Sequence, residues 1–136
     1  MLTGGAERKE IVVIAMYDAQ RQLILDTLAS VGLAAAITVA NVDAIQGHER
    51  AFVILSTVRS NDGKRVGFVA DPRRACVALT RAKSGLIVVS DADTMQGGET
   101  WRGLISHSAR EGSLMEGRLD SLRPYAVGTA VAQVDG

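Results

Sequence analysis

Apolar residues along this chain gather in short blocks and do not alternate with polar ones. Ile11 to Met16, Ile37 to Ala40, Ala51 to Val58 and Leu86 to Val89 each make a run of strand length, rich in β-branched side chains. Strands with one wet face alternate, whereas strands covered on both faces read as unbroken apolar runs. After the first block, Ile24, Leu28 and Val31 recur at helical spacing, with Asp18 placed to cap the helix and Gly32 to stop it. Strand blocks separated by helices predict an α/β fold: an open, mostly parallel sheet with helices on both faces. The link 41–50 is polar and short for a parallel crossover.

The stretch Asp71 to Lys83 carries the clearest helix signals. Asp71 can accept the free N–H groups of a first turn, and Pro72 fits the first helical position. A helix spanning all of it returns Arg74 and Arg81 to nearly one face, roughly 10 Å apart along the axis. Ala78 between them would leave space for a ligand. Two converging guanidiniums suit a phosphate, although the same spacing fits a solvated basic face.

Beyond Ser90, residues 91–96 and 99–111 read as helices, the second packing through Trp101, Leu104 and Ile105. From Glu116 the pattern weakens. The expected organisation is a lead-in over 1–10, one domain over 11–122 and a tail over 123–136. Fifteen basic and fifteen acidic side chains cancel, so overall charge does not point to a partner. Cys76 is the single cysteine. That excludes an intrachain disulfide and a cysteine-rich zinc site, and on a buried helix face it would be inert. The sequence has no apolar run of membrane-crossing length, so a soluble intracellular domain is expected.

In open α/β sheets ligands gather beyond the carboxyl ends of the strands. That rule nominates Tyr17, Asp18 and Gln20, then Asn41 to Arg50, then Arg59, Ser60 and Asn61. Phosphate-cradling P-loops, Gly-x-Gly-x-x-Gly turns and Gly-x-Ser-x-Gly elbows are absent. His48 and His107 have no second ligand at metal spacing.

Four groups of residues occur in a fixed order: Tyr17 and Gln20; Val42, Asp43, Gln46, Gly47 and Glu49; Val53 to Ser60; and Asp71 to Lys83. Together they resemble the second RecA-like domain of superfamily 1 helicases of the nonsense-transcript regulator (DNA2-NAM7) group. The resemblance covers about residues 11 to 122. Asn41, Ile45, Met16, Ala51 and Cys76 depart from the group's usual Ser or Thr, Phe, Pro, Asp and Asn.

The resemblance implies an ATP-binding, RNA- or DNA-binding hydrolase in which ATP lies between two RecA-like domains. Arg81 would be the catalytic arginine finger on the γ-phosphate, and such a residue contributes about 10³ to 10⁵ in rate. Glu49 would accept from the ribose, Gly47 would lie beside the nucleotide, and Arg74 would support the cleft. Gln46 would couple the two ligands, and Tyr17, Gln20, Asn41 and Val42 would line the single strand. The P-loop and Mg²⁺ motifs belong to the first domain, so this chain alone would be inactive, in a cytoplasmic or nuclear setting. Two alternatives stand beside it: a catalytically silent nucleic-acid or protein interaction module, and another α/β domain gripping a phosphorylated ligand.

Overall fold

The computed structural model describes residues 7–45, 48–57, 71–118 and 120–125. Its elements run β1 (Ile11–Ala15), α1 (Asp18–Ser30), β2 (Thr38–Asn41), β3 (Arg50–Ser56), α2 (Pro72–Leu79), β4 (Ala82–Val89), α3 (Ala92–Met95), α4 (Glu99–Arg110), β5 (Met115–Glu116) and β6 (Arg123–Pro124). The first four strands form one parallel sheet in the order β2-β1-β3-β4. The α/β class and parallel pairing follow the apolar blocks.

Topology places the helices. From β1 to β2 the chain steps one way across the sheet, and from β3 to β4 it steps the other. Right-handed crossovers therefore put α1 and α2 on opposite faces. Burial is unequal between them. Val12, Ile14, Val53 and Leu55 share a cluster with Ala75 and Ala78 of α2 and with Met95, Trp101 and Ile105 beyond β4. Helix α1 has no buried residue, and Leu23 is 58% exposed.

The short link between β2 and β3 crosses over β1 on the α2 face. It contains one tight turn, in which Asn41 O accepts from Ile45 N–H and the Asn41 side-chain oxygen accepts from Ala44 N–H. The turn drives Val42 and Ile45 into the core, 2% and 4% exposed. Buried apolar anchors let so short a connection return the chain to the start of a parallel strand.

Register defines two edges. Ala15 pairs with both Asn41 and Ser56, and Ser56 pairs with Val89, so the carboxyl ends are level. At the other end β3 and β4 run past β1, which starts opposite Phe52, to the pair Arg50–Ala82. A register shift there sets Phe52 against Gly85, where a Cβ would come within 3.0 Å of the Phe52 ring.

Several expectations need correction. Asp18 occupies the first turn of α1 and pairs with Arg21 at 2.7 Å, while Tyr17 is the N-cap residue. Helix α2 starts as expected, with Asp71 accepting from Arg73 N–H, but it ends at Leu79 instead of Lys83. The Thr80 hydroxyl donates back to Cys76 O at 2.7 Å, and Ala82 is already in β4. Pairing with β3 outweighs the local helical pattern, so Arg74 and Arg81 share no helix face. Ala78 is fully buried and forms no ligand floor, and Cys76 is exposed where a buried position was expected.

Helix α4 buries Trp101 and Ile105, as the packing pattern requires. Arg123, assigned to the tail, pairs through β6 with β5, and the Tyr125 hydroxyl donates to Asp93 at 2.5 Å. The Tyr125 phenol is pushed up to about 12, first by that hydrogen bond and then by burial and the neighbouring carboxylates. No described helix is long and apolar enough to cross a membrane.

Candidate functional site

The predicted site residues divide between the two edges of the sheet. At the carboxyl edge, Tyr17 holds the N-cap position of α1 without a side-chain capping bond and packs partly against the core, and Gln20 lies half-buried in the first turn. Asn41 ends β2. Its side-chain oxygen is used to cap the turn, which leaves its NH₂ as the outward donor. Val42 is buried beneath that turn, so its side chain is closed to any ligand.

Arg74 also belongs to this edge. It sits in the first turn of α2 and pairs with Asp43 at 3.4 Å. One contact of Arg74 is thus a carboxylate on the β2–β3 link. Val42, Asp43, Arg73, Arg74 and Val77 line a cavity of about 190 Å³ between the β2–β3 link and α2. Asp43 had no role assigned from sequence; the signal that could have found it is an acidic residue in a polar link facing a helix that opens with two arginines.

Glu49 and Arg81 occupy the opposite edge. Glu49 precedes β3 and Arg81 precedes β4, and Arg50 N–H donates to Arg81 O at 3.0 Å. Six residues of β3 separate this point from Ser56, roughly 20 Å at strand rise. The carboxyl-end rule therefore misplaces Glu49, because the link from β2 has already carried the chain back. The Glu49 side chain is exposed.

Arg81 is half-buried and held in place. Its Nε donates to Val77 O at 3.1 Å and its Nη2 to Thr80 Oγ1 at 3.2 Å. A cation on the last carbonyls of a helix is favoured by the dipole. These two bonds leave the outer N–H groups of the guanidinium for an anion. Thr80, also unassigned from sequence, both ends the helix and steadies this side chain.

Gln46, Gly47, Arg59, Ser60 and Asn61 lie outside the described residues. Among the described residues no group of three His, Cys, Asp or Glu side chains could hold a metal ion. The exposed Glu49 carboxylate can accept from a hydroxyl, and the outer edge of the Arg81 fork can donate to anionic oxygens.

A protein-family profile described as an AAA domain matches residues 1–93. The chain is 40% identical over 124 residues to an ATP-dependent helicase upf1 of Schizosaccharomyces pombe and to an ATP-dependent helicase NAM7 of Saccharomyces cerevisiae. Each match takes in 88% of this chain and 13% of the relative. A regulator of nonsense transcripts 1 of Dictyostelium discoideum is 42% identical over 128 residues, covering 90% of this chain and 10% of that protein. The chain thus spans only about an eighth to a tenth of the length of these relatives. It belongs to this AAA-domain family, and it is similar to one segment of helicases of the nonsense-transcript regulator group.

Proposed function

We propose that this chain is the second RecA-like half of an ATP-dependent RNA or DNA helicase, with the nucleotide at its amino edge and the single strand along its carboxyl edge. The observation that carries this reading is the juxtaposition of Glu49 and Arg81 at the starts of adjacent strands, joined through the Arg50–Arg81 hydrogen bond. Arg81 reaches the γ-phosphate from a guanidinium already oriented by Val77 O and Thr80 Oγ1. There it stabilises the charge that spreads over the phosphate oxygens during transfer. Glu49 accepts from the ribose. Asn41 and the first turn of α1 present donors to the strand backbone, contacts that are sequence-tolerant and salt-sensitive. Mg²⁺ and the phosphate cradle are supplied by the first domain, so this chain alone does not turn over ATP at a helicase rate.

The test is single-strand-stimulated ATPase of this chain assembled with the first RecA-like domain, in cis or in trans. Arg81→Ala lowers turnover by about 10³ or more and leaves nucleotide affinity nearly intact. Full activity in that variant removes Arg81 from the mechanism. Binding of single strands without any ATPase in the wild-type assembly favours the interaction-module reading instead.

A further inference from the structure

Helix α2 runs against the strands, from the carboxyl edge, where Arg74 meets Asp43, to the amino edge, where the chain turns into Arg81. We propose that the Asp43–Arg74 pair is a relay: it passes occupancy of the single-strand edge to Arg81 through α2. The proposal rests on the helicase reading given above.

Three features of the pair support this. First, its two side chains are 66% and 37% exposed, and ion pairs in such surroundings contribute little to stability. Second, the pair lines the cavity together with Val42, Arg73 and Val77, so a backbone phosphate entering there competes with Asp43 for Arg74. A phosphate suits the guanidinium fork at least as well as a carboxylate. Third, the pair bridges a separation of 31 residues, tying the β2–β3 link to the first turn of α2.

The helix is built to carry a small displacement. It spans eight residues, roughly 12 Å at helical rise. Its fully buried contacts with the core are Ala75 and Ala78, both small, while Val77 and Leu79 pack against it only in part. Shear of this kind is a common small motion between packed elements. At the far end the two halves of Arg81 are anchored differently. Its carbonyl is fixed to β3 through Arg50, while its guanidinium is tied to α2 through Val77 O and to Thr80. Movement of α2 relative to the sheet therefore changes the direction in which the guanidinium projects. Asp43 is a positioning residue in this scheme and touches no nucleotide.

The experiment is an NMR titration of the ¹⁵N-labelled chain with a short single-stranded oligouridylate at low salt, binding being followed in parallel by fluorescence anisotropy. In the wild type the Arg81 Nε–H resonance shifts as the strand binds. In Asp43→Asn the strand still binds but the Arg81 shift is lost, and in Asp43→Glu, which keeps the charge, the shift is retained. An undiminished shift in Asp43→Asn overturns the relay, as does its loss in both variants or its absence from a wild-type chain that binds the strand; each of these leaves the helicase reading standing. A wild-type chain that binds no strand overturns both.

Discussion

At the carboxyl edge, candidate side chains hang from turns and helix starts; at the amino edge, they stand where strands begin. Asn41 spends its carbonyl oxygen on its own turn, Tyr17 opens α1, and Arg74 shares its charge with Asp43. These positions can yield by small adjustments of a link or a helix end. Arg81 is tied through its carbonyl to β3 and through its side chain to the last turn of α2. Such anchoring makes the direction of the guanidinium depend on where α2 sits on the sheet, whereas the Asn41 side chain at the carboxyl edge is held within its own turn.

The steepest test of this contrast sets Arg81→Ala beside Asn41→Ala in the assembled helicase. The first lowers stimulated turnover by about 10³ or more while single-strand affinity holds. The second weakens single-strand binding by about tenfold, the loss of one hydrogen bond to a charged oxygen, and leaves nucleotide affinity unchanged. Anisotropy with a labelled strand and nucleotide competition separate the two, and an exchange of these phenotypes between the variants would dissolve the distinction between the edges.

Crowding the helix seat comes next. Ala78→Leu forces α2 away from a fully buried position and lowers stability by about 1–3 kcal/mol in urea unfolding. Thr80→Val keeps the shape of the side chain but removes the hydroxyl that bonds Cys76 O and receives Arg81. We expect a loss of about 0.5–1.5 kcal/mol, together with a fall in turnover that Thr80→Ser reverses. A turnover unaffected by Thr80→Val would mean that the guanidinium needs no hydroxyl to orient it.

The smallest effect concerns neither edge and serves as a control. Neutral Tyr125 donates to Asp93, so its pKa is raised to about 12. A raised pKa contributes stability that is present below the ordinary tyrosine value and is lost as pH rises through the folded one. The difference in phenolate absorption between wild type and Tyr125→Phe should therefore emerge near pH 12.

Much of the architecture could be read from the chain because apolar blocks mark the parallel strands, even where, as at Ile87 and Val89 of β4, one face stays exposed, and because Asp71 and Pro72 mark a helix start by purely local chemistry. What the sequence hides is where a local pattern yields to pairing. Thr80 to Lys83 continue a helical spacing, yet β3 recruits Ala82 onward into β4. The same competition misleads the reading of the site. Seven positions along a helix would bring Arg74 and Arg81 together, but the helix ends between them and the two lie toward opposite edges. The Asp43–Arg74 contact was also invisible, because it depends on a link folding over β1, which no local signal encodes.

Cys76 projects into solvent from the middle of α2, and the sequence contains no other thiol. The molecule thus carries a ready attachment point for a spin label or fluorophore on the element proposed to move. A probe there would report the travel of α2 directly, with no prior removal of competing cysteines.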